Sequence, residues 1–295
     1  MNAIFEFCMR IIAQFKTSIL SFRLQADPSP ARGKKYQFSR IPDLYNSIDE
    51  VQVALRAVGL ESSSLIFGID FTKSNTRTGK VSFERRCLHD TTGPLNPYQQ
   101  VLSIMGRTLE AFDDDHLIPT FGFGDIHTAD KACFPFFPDR PCAGLQEAQS
   151  RYLEIAPGIE LSGPTNFAPV INKAIETVQQ TKAYHILVII ADGQVSNVRE
   201  TVDAIVRASS HPLSIVMVGV GDGPWDMMRQ FDDELPQRKF DNFQFVCFTE
   251  LQRRLAKVMG DGRGRPAGRA DAWLAMAMLM EVPEQYRAIK KLRLL

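Results

Sequence analysis

The chain is poor in cysteine, and the cysteines it has follow no pattern. Cys8, Cys87, Cys133, Cys142 and Cys247 are scattered over 295 positions, and no Cys-x-x-Cys occurs. An odd number without close spacing argues against a secreted disulfide framework and fits reduced thiols inside a cell. A cytoplasmic location is expected, with the nucleus left open. The missing Cys-x-x-Cys excludes a cysteine-rich zinc module, so no zinc is expected. Charge of one sign is lacking too: Lys plus Arg and Asp plus Glu both number 34. That balance leaves no basic footprint for nucleic acid, and no nucleic-acid partner is expected. No apolar run reaches the roughly 18 residues of a membrane span. Gly-x-Ser-x-Gly is absent, which removes the nucleophile elbow of α/β-hydrolases.

What is present is alternation. Hydrophobic residues make up 44% of the chain, enough for a sizeable core. A strand over 65–69 is followed by an edge strand over 81–88, a helix over 97–113 that starts at Asn96-Pro97, and a strand over 117–122. After a long loop over 124–144, helices are predicted over 146–155 and 167–180. The stretch 184–191, YHILVIIA, is continuously apolar, as a parallel strand covered on both faces must be. Helix 198–208, strand 213–220, helix 225–232, strand 243–248 and helix 250–259 complete the series. The fold class is therefore α/β: a doubly wound, mostly parallel central sheet with helices on both faces, Rossmann-like in its winding. A further helix is predicted over 47–59.

Two flanking regions complete the organisation. Residues 1–35 read as an amphipathic segment and linker, 36–259 as the domain, and 260–295 as a hinge, a helix over 271–280 and a tail. Within 4–22, Ile4, Cys8, Ile11, Ile12, Phe15, Ile19 and Phe22 share one helical face, and Arg10, Lys16 and Arg23 make it mildly basic. Three readings stay open there: a helix docked on protein, a targeting presequence, or an anchor for peripheral attachment to a membrane surface.

The chemistry sits where strands end. Asp70, Thr72 and Ser74 follow the first central strand, Thr165 lies in a Gly163-Pro164-Thr165 loop, and Asp192 follows the 184–191 strand. In a parallel sheet such loops converge at the carboxyl edge. Hydroxyls and two carboxylates form a hard, all-oxygen set suited to Mg²⁺, Mn²⁺ or Ca²⁺, with a coordination position left for an outside oxygen.

This constellation resembles the metal-ion-dependent adhesion site of von Willebrand factor A domains. The segments GIDFTKSN, NPYQQVLSIMGRTL, FGFGD, GPTNFAPVI, VIIADGQV, LSIVMVGVGDGPWDMM, FDNFQFVCFTEL and MEVPEQY narrow the resemblance to the copine-type A domain. Within that group the chain is most similar to the plant-type copine-like RING ubiquitin ligases. The resemblance runs from about Tyr36 to Tyr286. It implies that Ser74, Thr72 and Thr165 are direct or near-direct metal ligands and that Asp70 and Asp192 hold metal-bound waters. It also implies that an Asp or Glu carboxylate of a partner protein completes the shell. The function expected is an intracellular, metal-dependent protein-binding adaptor. Participation in ubiquitination, as a component or a RING-less relative of the ligases, is the alternative. The paired lipid-binding domains of copines, the RING zinc ligands and an N-terminal Met-Gly for myristoylation are not found in these residues. No intrinsic ubiquitin-ligase activity is expected of them.

Other motifs carry less. An aspartyl-phosphate phosphatase needs an acid two residues after its nucleophile, and Thr72 stands there. Gly219 to Gly223 lacks the nucleotide-loop spacing because Pro224 takes the sixth position. Asp125 reads as a solvated loop acid or a partner of the site. Phe134, Phe136 and Phe137 read as a locally packed cluster or a partner patch, and Met276, Met278 and Met280 as core or adaptable surface. The histidines are scattered, and His185 is read as structural.

Overall fold

The computed structural model of the chain describes residues 47–57, 59–60, 62–235, 238–259 and 268–295. The segment 4–22, the linker, the domain start near Tyr36 and almost all of the hinge lie outside the described residues. Helix α1 (Ile48–Ala57) precedes strand β1 (Ser64–Asp70). There follow α2 (Pro97–Leu109), β2 (Leu117–Ile118), β3 (Thr120–Phe123), β4 (Cys133–Pro135), β5 (Cys142–Ala143) and α3 (Gly144–Ile155). The second half alternates: α4 (Ala168–Thr181), β6 (His185–Ala191), α5 (Val198–Ala208), β7 (Leu213–Gly219), α6 (Asp226–Asp233), β8 (Phe243–Cys247) and α7 (Phe248–Met259). Helices α8 (Gly268–Leu279) and α9 (Val282–Lys291) close the described chain.

The central sheet has the order β4-β3-β1-β6-β7-β8. Strands β3, β1, β6, β7 and β8 are parallel, and β4 runs antiparallel along the β3 edge. The doubly wound α/β prediction holds. Apolar residues on both faces of the inner strands make this possible. Val188 and Ile190 of β6 face one core with Val216 and Val218 of β7. Leu187 and Ile189 face the other with Ile215 and Met217. Helices α4, α5 and α6 cover the second core, while α1, α2, α3, α8 and α9 contribute to the first.

Several predicted elements need correction. Residues 81–88 are turns, not an edge strand. Phe83 and Leu88 are buried there without any strand pairing, and those two apolar side chains produced the strand signal. The strand predicted over 117–122 is split at Pro119, which has no N–H to donate. Its first part pairs antiparallel with β5, and its second joins the central sheet. The long loop contains the β4 edge strand, and Phe136 is buried in the first core with Phe134 and Phe137 half-buried against the same core, so the three pack down locally. The expected tail begins as helix α9, with Tyr286 and Ile289 buried. Trp273, Met276 and Met278 of α8 are also buried in the first core, so those two methionines are core, whereas Met280 just past the helix is half-buried. Removing a buried indole such as Trp273 costs about 3–5 kcal/mol. No helix among the described residues is long and apolar enough to cross a membrane.

One stability consequence lies far from the carboxyl edge. Burial, then the nearby Asp232, Asp241 and Asp233 charges, push Glu281 up to about 8 from an ordinary 4.5. A raised acid pKa means the folded state holds a proton that the unfolded chain has released. This contribution is fully present below the unfolded pKa and is lost as pH rises through about 8. The melting temperature should therefore fall between pH 6 and pH 9, and Glu281→Gln should flatten that slope in a thermal-denaturation series.

Candidate metal centre

The oxygen-bearing residues come together where β1 and β6 end side by side. Asp70 is the last residue of β1 and Asp192 follows the last residue of β6. Both are almost wholly buried. The backbone then turns sharply: Asp70 Oδ1 accepts the Thr72 N–H at 2.8 Å, and a short 3-10 turn begins at Lys73. That turn lifts Ser74 back over the sheet edge. Thr72 Oγ1 and Ser74 Oγ lie 2.8 Å apart, and Ser74 Oγ donates to Asp192 Oδ1 at 2.8 Å. Thr78, one turn further on, donates its hydroxyl to Asp192 Oδ2.

Four of the five predicted residues are thus joined in one chain of polar contacts. Thr165 is buried and close by, but no hydrogen bond joins its hydroxyl to the other four. Its loop is nevertheless fixed beside them. Lys73 N–H donates to the Ser162 carbonyl at 2.6 Å, and Thr72 bridges Ser162 in parallel. The Thr165 carbonyl accepts Ser196 N–H at 2.8 Å, which ties this loop to the one after β6. Gly124 closes the third side at φ +83°, where an added Cβ would meet Thr72 Cγ2 at 2.4 Å and Asp70 Oδ1 at 3.4 Å. Only glycine fits a backbone pressed that closely on the site.

The electrostatics are unfavourable as they stand. Burial, and after it the Asp192 carboxylate, hold Asp70 well above the usual carboxylate range. Burial raises Asp192 too, against the lowering effect of the Thr78 and Ser74 hydroxyls. Asp70 Oδ2 is buried with no hydrogen-bond partner among the described residues. A buried acceptor in that state costs about 1–3 kcal/mol or more when charged. A divalent cation fits this set: hard oxygens, an excess of negative charge, and an orphaned acceptor.

Sequence reasoning missed what lies beneath. His89, passed over as scattered, is buried directly under the turn. Its ring stacks between Phe71 and Tyr98, with centroids 4.6 and 4.1 Å away. Its Nε2 lies 2.8 Å from the Asp70 carbonyl and its Nδ1 2.8 Å from Tyr152 Oη. Burial pushes its pKa down to about 4, so the ring is neutral. Asn75 was missed as well; its amide donates to the Asp70 and Thr72 carbonyls at 3.3 and 3.0 Å. Thr78 could have been found, since it follows Ser74 by one helical turn. Nothing in the sequence pairs His89 with Asp70. Asp125 is not a solvated acid: it is buried and accepts the Thr128 N–H at 3.0 Å, and the Thr128 hydroxyl accepts the Gly124 N–H at 3.1 Å, so Asp125 supports one wall of the site at one remove without touching the other acids.

Sheet order, winding and this carboxyl-edge site together define a von Willebrand factor A-type domain. A Copine family signature matches residues 87–295, and the chain belongs to the copine family. It is 50% identical over 273 residues to E3 ubiquitin-protein ligase RGLG1 of Arabidopsis thaliana, covering 88% of this chain and 54% of that protein. It is 51% identical over 269 residues to RGLG3 of the same plant, covering 86% of this chain and 71% of the relative. Copine family protein 1 of Caenorhabditis elegans is 50% identical over 252 residues, which cover 84% of this chain and 22% of that protein. The chain thus spans about half the length of the first of these relatives. Among solved structures, manganese-loaded Plasmodium vivax TRAP protein aligns with a TM-score of 0.45 at 12% identity, over 68% of this chain and 72% of that one, too remote to bear on the site.

If the paired carboxylates repel one another without an ion, neutralising one should stabilise the metal-free fold. Asp70→Asn should raise the melting temperature in excess chelator, by on the order of 1 kcal/mol or about 2–4 °C for a domain of this size. Differential scanning calorimetry reads this directly; a lowered melting temperature would show that the charges are not in conflict.

Proposed function

We propose that this domain holds a divalent cation, Mg²⁺ with Mn²⁺ or Ca²⁺ as substitutes, and uses it to engage a carboxylate of a partner protein. The observation that carries this reading is Asp70 Oδ2, buried and without a hydrogen-bond partner among the described residues, beside a second buried carboxylate. The hydroxyls of Thr72, Ser74 and Thr165 are the residues that would touch the ion, with Asp70 and Asp192 holding its waters. A bound cation supplies one position at which an outside oxygen can be captured. The chain's own residues orient that position: the 3-10 turn aims Ser74, and Asp192 holds the Ser74 and Thr78 hydroxyls in place.

The surroundings suit an acidic partner. Lys73, Arg77, Lys80 and Arg85 are exposed along the turn that leaves the site and form no ion pair among the described residues. Positive charge at a rim speeds encounter with acidic groups and is screened by salt. The domain then serves as an intracellular adaptor whose capture of partners requires the ion.

Mg²⁺ should stabilise the wild-type fold, by about 2.7 kcal/mol at a hundredfold excess over Kd. Asp192→Ala should abolish that gain and should abolish partner capture, while retaining the circular dichroism of the wild type. Partner capture from extract that is equal with Mg²⁺ and with excess chelator would refute the reading.

The relatives named as ubiquitin ligases favour a role within ubiquitination, with this chain supplying partner recognition rather than the transfer step. Purified chain mixed with ubiquitin, activating enzyme and conjugating enzyme should form no ubiquitin chains. Product formed without an added ligase would sink the adaptor assignment.

A further inference from the structure

The Asp70 carboxylate is an awkward group to hold still, because one of its oxygens has no hydrogen-bond partner among the described residues. Its other oxygen accepts the Thr72 N–H, and the rest of the hold on the residue is through its backbone, which is held from below. The Asp70 carbonyl can only accept, so His89 Nε2 carries the proton of that 2.8 Å contact. His89 Nδ1 must then accept, and Tyr152 Oη donates to it at 2.8 Å. Having given its proton to His89, Tyr152 Oη accepts from Asn96 Nδ2 at 3.1 Å. Asn96 in turn caps α2, its Oδ1 accepting the Gln99 N–H at 2.9 Å. A single tautomer of His89 satisfies every member, which a buried polar network must do to be rigid.

Packing locks the same ring. The planes of Phe71 and Tyr98 each lie 20° from that of His89, one on each side. Tyr98 Oη also donates to Asn75 Oδ1 at 2.7 Å, and Asn75 is the second donor to the Asp70 carbonyl. Beneath the site there is thus a satisfied network joining β1, α2 and α3, while above it the Asp70 Oδ2 has no hydrogen-bond partner among the described residues.

We infer that His89, oriented by Tyr152 and Asn96, is a positioning residue that fixes Asp70 and the turn to Ser74 in the ion-binding geometry. A histidine that merely filled core space would need no defined tautomer and no hydrogen bond to the site's backbone. The inference deepens the divalent-cation reading and rests on it for its affinity arm.

The test uses the full chain and three variants. His89→Leu removes both contacts, His89→Gln restores a donor toward the Asp70 carbonyl, and Tyr152→Phe removes only the hydroxyl that orients the ring. Mn²⁺ affinity is measured by calorimetric titration, and exchange of the Thr72 N–H is followed by NMR in metal-free protein. His89→Leu should weaken Mn²⁺ binding about 10–100-fold, the usual effect of losing a group that orients a metal ligand. Tyr152→Phe should weaken it less, and His89→Gln should recover most of the loss. Thr72 N–H exchange should accelerate about tenfold in His89→Leu and Tyr152→Phe, with β7 amides unchanged, as local opening requires. Wild-type affinity and unchanged Thr72 exchange in Tyr152→Phe would overturn the inference, even if His89→Leu fails to fold. Absence of Mn²⁺ binding by the wild type would sink the cation reading instead, and the exchange data would then judge His89 alone.

Discussion

Two carboxylates buried at the ends of neighbouring parallel strands are the constraint around which this domain is arranged. Asp70 and Asp192 could each be solvated at a surface, and neither is. A parallel sheet with both faces covered leaves its carboxyl edge as the one place where strand-end side chains converge. Here that edge places two acids together with no basic side chain among their contacts within the described residues. Hydroxyl donors relieve Asp192, but Asp70 Oδ2 has no donor among the described residues. On the reading proposed above, a cation would turn the same geometry from a liability into a binding site and would link the stability of the fold to its occupancy.

The remainder of the site is the means of keeping that geometry. Gly124 permits the neighbouring strand end to press against Thr72 and Asp70. The Ser162 backbone zips along Thr72 and Lys73, which brings the Thr165 loop to the rim. Below, neutral His89 and Asn75 hold the Asp70 carbonyl from two directions. Asp222 clasps the turn after the site by accepting the N–H groups of Val81 and Ser82 at 2.9 and 3.0 Å. That clasp gives residues 81–88 a fixed path without strand pairing.

Much of this was legible in the sequence, for a physical reason. Buried parallel strands are continuous apolar runs, so YHILVIIA and LSIVMVGV announce the sheet, and the acids at their ends announce its edge. The Asp70, Thr72, Ser74 and Asp192 grouping followed from that rule, and the copine resemblance agreed with the family now shown. Residues 81–88 misled because two buried apolar side chains, Phe83 and Leu88, imitate a strand when contacts are unknown. Helix α9 was hidden because its short amphipathic pattern starts at Val282-Pro283, close behind the end of α8. His89 was illegible in principle: its partners lie 19 residues before and 63 residues after it, and only the fold brings them together.

The most direct test is an anomalous-scattering map from crystals of the chain grown or soaked with Mn²⁺. A single strong peak is expected among Asp70, Thr72, Ser74, Thr165 and Asp192, absent from crystals of Asp192→Ala. A wild-type map with no peak there, or with manganese bound only elsewhere, would contradict the cation reading.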